Sequence, residues 1–215
     1  NRISVLSNGS VAHRHLNKHI NYAQCCAPTP NAESEKSLAT PLEMVVSSNG
    51  QKLYLAAMGS DKVGIFNTSE LENDTFVPSQ ANQVTVSGGG PTGLVLDESR
   101  NRLYVMTRFD NSISIINTNT KSEINHISLH NPEPASVVDG RRFLYDAKLT
   151  SSRGDSSCAA CHIFGDMDHI AWDLGTPQGD VVVPPGPFRN FPFIPGVIDF
   201  HPLKGPMTTQ SLRGM

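Results

Sequence analysis

The 215-residue chain is short of several things that would have pointed elsewhere. It has one Trp and an aromatic share of 7%, and charged residues make up only 17%. Low charge together with 38% hydrophobic residues excludes a highly charged disordered chain. No apolar run reaches the roughly 18 residues a spanning helix needs, so no transmembrane segment is expected. Lys and Arg are not clustered, and the formal charge is only −3, which argues against nucleic acid or an anionic membrane as the main partner. Helix-friendly composition is lacking too. Gly (17) and Pro (15) are plentiful, which suits short strands joined by turns rather than a helical bundle.

What is present is a repeat. Segment 41–68 aligns without gaps on 91–118, an offset of 50 residues, with seven of 28 positions identical. The identities are Pro41/Pro91, Val45/Val95, Leu53/Leu103, Tyr54/Tyr104, Ile65/Ile115, Asn67/Asn117 and Thr68/Thr118. Each copy reads as strand, polar turn, strand, turn, and a third strand with the period of two seen in Ser112-Ile-Ser-Ile-Ile116. A fourth strand is expected at Val84–Val86 and, matching it, at Ile127–Leu129. Four strands per 40 to 50 residues is the sequence form of a β-propeller blade. The opening Asn1–Leu6 matches Asn111–Ile116, so the chain enters in mid-blade and is expected to be a piece of a protein extending further at its N-terminus.

These strands resemble those of the YVTN family of bacterial β-propellers over residues 1–6 and 41–134. The resemblance implies propeller blades in an incomplete ring and specifies no activity. Between the first blade piece and Pro41 lies Ser7–Thr40, read as an insertion with a helix over Ala12–Tyr22. It carries His13, His15, His19, Cys25 and Cys26, side chains that suit a soft or borderline metal. The plainer alternative is a polar surface helix on the propeller, with Cys25 and Cys26 as thiols or an adjacent-residue disulfide.

The strongest chemistry lies further on. Cys158-Ala-Ala-Cys161-His162 is the C-x-x-C-H signature of covalent haem c attachment. Two thiols three residues apart can each form a thioether with a haem vinyl group, and the next imidazole then ligates the iron as proximal ligand. The competing readings, half of a zinc site or a redox C-x-x-C pair, would call for further ligands or a βαβ setting, and neither is evident.

Gly140-Arg-Arg-Phe-Leu-Tyr-Asp146 stands ahead of Ser157-Cys158-x-x-Cys161-His162, and His201-Pro-Leu-Lys204-Gly205-Pro206 is followed by Thr and Leu212. Through these motifs residues 139–215 show a resemblance to the first half of a dihaem cytochrome c peroxidase/MauG-like domain. It implies a mainly α, loop-rich cytochrome c domain over 135–215, following a partial propeller over 1–134. It also implies His201 as the distal iron ligand; Met207, or an open or water-bound site, is the alternative, and Met167 and His169 follow His162 too closely to reach round the ring. In this chain His201 stands three residues before Lys204, and Met207 takes a position often basic in the family. A second C-x-x-C-H, carrying a second haem c, is expected beyond residue 215. Arg153, Lys204 and Arg213 are read as propionate partners or solvated surface, and Trp172 as core or electron relay. The Pro-rich stretch 179–196 is expected to be extended.

The expected function is an extracytoplasmic haem c oxidoreductase of bacterial periplasm or cell surface. Electron transfer, with peroxidase- or MauG-like oxidation, would draw on a small redox protein or a quinone-linked donor. The alternatives are a non-catalytic electron-transfer cytochrome, and a propeller-based binding or surface protein with auxiliary haem.

Overall fold

The computed structural model describes residues 1–24, 27–173 and 206–213. Its chain divides into two compact units, Asn1–Ala160 and Cys161–Met215.

The first unit is built from antiparallel sheets. Strands β1 (Arg2–Ser7) and β2 (Ser10–His15) form a two-stranded sheet. Strands β3 (Pro41–Val46), β4 (Lys52–Ala57), β5 (Lys62–Asn67) and β6 (Gln83–Thr85) form a four-stranded sheet in chain order. Strands β7 (Pro91–Asp97), β8 (Arg102–Thr107), β9 (Ser112–Asn117) and β10 (Ser122–Ser128) form the second. Each four-stranded meander is a propeller blade.

The repeat holds residue by residue. Leu53 pairs with Val46 and Phe66, and Leu103 with Leu96 and Ile116. Tyr54 pairs with Val45 and Ile65, and Tyr104 with Val95 and Ile115. Both blades break register at the same place, after Pro41 and after Pro91. The turn before the third strand is left-handed in both, at Asp61 (φ 54°) and Asn111 (φ 58°), where a short polar side chain tolerates that backbone. Val84 faces Val63 and Ile127 faces Ile113, so the fourth strands correspond as well. Between third and fourth strands the first blade carries extra chain that includes helix α1 (Thr68–Glu72), whereas the second blade turns back within a few residues.

Side-chain alternation explains the packing. On β4, Leu53, Leu55 and Ala57 join Ile3, Leu16, Leu38, Phe66, Leu71 and Phe76 in one buried cluster. Tyr54 and Ala56, pointing the other way, join Val63, Ile65, Val84 and Val86 with Leu94, Leu103, Val105 and Ile116 from the next blade. The run Leu-Tyr-Leu-Ala-Ala is therefore apolar throughout because both faces of its sheet are covered. On β8 only Leu103, Val105 and Thr107 are buried, while Tyr104 and Met106 on the other face stay half-exposed.

The expected helix over Ala12–Tyr22 is not formed. Ser10–His15 pairs with β1 instead, Ser4 facing His13 as Ser114 faces His126. The two-stranded sheet thus holds the third and fourth strands of a blade, and the added chain before β3 begins only after Leu16. Asn17, fully buried, fastens that segment's far end: its Nδ2 donates to the Leu38 carbonyl (3.1 Å) and its Oδ1 accepts from Leu38 N (2.8 Å).

After the blades come helices α2 (Ala135–Tyr145) and α3 (Ala147–Thr150). Arg141 Nη1 donates to the Arg108 carbonyl (3.0 Å), and Arg142 Nη1 reaches Asp61 Oδ2 (3.3 Å). The next segment packs on the added chain, with Asn31 Nδ2 donating to Ser152 O (2.6 Å), Ser37 Oγ to Arg153 O (2.6 Å) and Tyr22 Oη to Asp155 Oδ2 (2.9 Å).

The second unit holds β11 (Ala171–Asp173) paired with β12 (Pro206–Thr208). The described residues are mainly β with few helices, and no cytochrome-like helical domain is evident among them. No helix of the described residues is long and apolar enough to cross a membrane.

Candidate functional site

Cys158 opens a single 3-10 turn, Cys158–Ala160, closed by Ala160 N donating to Ser157 O (3.0 Å), and its side chain is exposed. Helix α2 packs against this turn. The Ser157 hydroxyl just before it is buried with no hydrogen-bond partner.

In the second unit Cys161 is half-buried, and His162 leads into a turn over Ile163–Gly165. Phe164 (φ 54°) and Gly165 (φ 73°) both take left-handed backbone there. This reverses the chain so that 162–168 runs beside 209–213. Side-chain and backbone contacts join them. Thr209 Oγ1 donates to Asp168 Oδ1 (3.0 Å), His162 Nδ1 lies 2.8 Å from Gln210 O, Leu212 N donates to Gly165 O (2.9 Å), and Arg213 Nε pairs with Asp166 Oδ2 (3.2 Å). Asp166 is held below the usual carboxylate range, first by the Met167 amide and next by Ser211, with Arg213 adding to them.

The contact with Gln210 has a chemical consequence. A carbonyl oxygen only accepts, so Nδ1 carries the proton, and in the neutral ring Nε2 is left with its lone pair. An imidazole fixed this way through one nitrogen is arranged to ligate through the other. No sequence signal points to this partner, because a backbone carbonyl 48 positions away leaves no mark in residue type.

The other candidates separate. Met207 lies on β12, its backbone opposite Trp172. His201 and Lys204, like Cys25, Cys26 and the 179–196 stretch, lie outside the described residues. Arg153 stacks over Tyr22, 5.1 Å from the ring centroid, and donates to the Gln24 carbonyl, so it serves the added chain.

The three histidines of the first segment do not converge. His13 Nδ1 meets Ser4 Oγ (3.1 Å), His15 Nδ1 accepts from Asn17 N (3.1 Å), and His19 Nε2 contacts Glu33 O (2.9 Å). Burial holds His15 and His19 below the ordinary imidazole range, favouring neutral rings. Among the described residues no group of three or more His, Cys, Asp or Glu could hold a metal ion, and the two thiols of that reading, Cys25 and Cys26, lie outside the described residues.

The comparisons agree with the sheets. The family described as "Lactonase, 7-bladed beta-propeller" matches residues 7–167. The chain belongs to this family of seven-bladed propellers. Of its blades, the described residues hold two complete sheets and half of another. Among solved structures, the periplasmic gluconolactonase of Pseudomonas aeruginosa is 18% identical with a TM-score of 0.40, over 62% of this chain and 37% of that one. Hydrazine synthase of Kuenenia stuttgartiensis is 20% identical with a TM-score of 0.37, over 44% and 24%. A protein from Lactobacillus plantarum is 17% identical with a TM-score of 0.39, over 62% and 37%. The chain thus spans well under half the length of these structures. No curated protein matches it.

Proposed function

We propose that this propeller chain carries a covalent haem c on Cys158, Cys161 and His162 and works as an extracytoplasmic electron-transfer oxidoreductase. The observation that carries the reading is the His162 Nδ1 contact with Gln210 O (2.8 Å), which leaves Nε2 as the ligating nitrogen next to a paired-thiol motif. Haem bound there would supply one-electron chemistry. The protein's own part is to present the Cys158 and Cys161 thiols, to fix the imidazole tautomer, and to hold the 162–168 turn by its contacts with 209–213.

The finer assignments follow from the same reading. His201 is the proposed distal ligand and Met207 the alternative. A second haem c in a further segment and a small redox or quinone-linked donor would complete an oxidase or peroxidase. Without them the chain would be a simple electron carrier. Covalent haem maturation places the protein in the bacterial periplasm or on the cell surface.

A second reading is propeller-based recognition or lactone chemistry with auxiliary haem. The family match over 7–167 favours it.

Acid-acetone extraction of protein matured in a host competent for haem c attachment tests the covalent haem on which the first reading rests. Retention of the Soret band with the polypeptide, and its loss in Cys158→Ala/Cys161→Ala, supports the haem c reading. Haem that extracts into solvent, or none at all, leaves the propeller reading alone.

A further inference from the structure

Met44 and Val46 lie on β3 directly opposite Leu55 and Leu53 of β4. Opposed residues of an antiparallel pair share one face of the sheet, so all four side chains point the same way. Leu53 and Leu55 are buried there, in one cluster with Ile3 of β1, Leu16 and Leu38. Met44 and Val46, by contrast, are 47% and 48% exposed. The interface between the half blade and the first full blade thus runs on into an uncovered apolar stripe.

The second blade shows what such a stripe meets. Leu94 and Leu96 of β7 stand at the places of Met44 and Val46, paired with Val105 and Leu103. Leu94 is only 6% exposed, and Leu96 packs on the same buried cluster. That cluster takes Tyr54 and Ala56 from β4, with Val45 of β3 packed against it. Strands β3 and β4 both pack on β7. The first strand of a blade is therefore covered by the first two strands of the blade before it. For β3 that neighbour is the half blade, where β1 and β2 stand at the third and fourth places. Among the described residues β1 pairs only with β2, so the backbone groups of its other edge are open to another strand.

We propose that Met44, Val46 and the open edge of β1 form a docking slot for a β-hairpin with the chemistry of Pro41–Ala57, the first two strands of a blade. The hairpin's second strand adds to β1 as β8 adds to β9. Arg2–Leu6 stand at the places of Ser112–Ile116, so a Tyr at the place of Tyr104 falls opposite Val5 and its next-but-one residue opposite Ile3. Main-chain bonds to β1 supply affinity, and the Tyr and a branched aliphatic at the place of Val45 supply specificity by covering Met44 and Val46. Edge-to-edge pairing of β1 with β1 of a second copy would leave that stripe bare, which is why a hairpin is the occupant. The slot does not depend on the haem reading.

The test adds a peptide with the sequence Pro41–Ala57 to the full 215-residue chain and follows amide hydrogen exchange. With peptide at ten times its dissociation constant, the β1 amides not bonded to β2 should slow by about 10-fold, while those of β8 stay unchanged. Tyr54→Ser in the peptide, or Met44→Asp in the chain, should each weaken binding by about 10-fold or more. If the free peptide is too unstructured to bind, a copy of Pro41–Ser60 fused directly ahead of Asn1 makes the pairing intramolecular, since Asn1 stands at the turn place of Asp61 and Asn111. The fusion should protect the β1 amides, and Tyr54→Ser in the added copy should remove that protection. Unprotected β1 amides in the fusion, or protection that neither substitution changes, overturns the proposal. A dimer of the unaltered chain that already protects these amides overturns it as well.

Discussion

His13 and His126 occupy the same place in different blades, each with Nδ1 3.1 Å from the Oγ of a serine on the neighbouring strand, Ser4 and Ser114. Only the second pair has a carboxylate behind it. His126 Nε2 meets Asp110 Oδ2 at 2.7 Å, and Thr107 Oγ1 donates to the other oxygen. Ser114 is fully buried, so this chain of side chains braces a blade and offers no nucleophile to a substrate.

The difference in partners sets a difference in stability. His126→Ala removes contacts to both Ser114 and Asp110 and should cost about 1–3 kcal/mol. His13→Ala, on an exposed site with one such contact, should cost less than about 1 kcal/mol. Urea unfolding of the two variants checks the order, and equal losses would contradict the bracing role.

Alternation along the strands gives a sharper contrast. Leu103 is fully buried between the blades, and Leu103→Ala should cost about 2–5 kcal/mol. Val95, 65% exposed one strand away, should tolerate Ala within about 0.5 kcal/mol. Thermal unfolding of both variants measures the gap.

Lys62 makes stability depend on alkaline pH. It is buried, and desolvation pushes its ammonium down to about 8, with the Glu35 charge opposing. Between this value and the ordinary 10.5 the unfolded chain binds the proton and the folded chain does not. Stability should therefore rise from pH 8 toward pH 10, by at most about 3 kcal/mol over the full window. Lys62→Met should flatten that rise. Tyr22, pushed up to about 12 by burial and its bond to Asp155, opposes the trend only above pH 10.

The 50-residue repeat was legible in the sequence because the two complete blades keep their first three strands and both turns at equal length. Leu-Tyr at 53–54 and 103–104 marks the same two faces in each. The half blade was harder. Only β1 shares residues with β9, and β2 was hidden because His15 and His19, four residues apart, imitate a helical face. What identifies β2 is pairing with β1, a long-range fact that local spacing does not carry. At the cysteine motif the residue types were plain from spacing. The Gln210 carbonyl that fixes the ring, and the Arg142–Asp61 pair that holds α2, depend on chain reversal and docking, which no local pattern encodes.

The most direct measurement of the central claim is mass spectrometry of the tryptic peptide running from Gly154 to Arg189, taken from protein matured with haem c attachment machinery. The account predicts this peptide carrying one haem, with neither Cys158 nor Cys161 open to alkylation. Recovery of the same peptide with both thiols alkylated and no haem mass would contradict it.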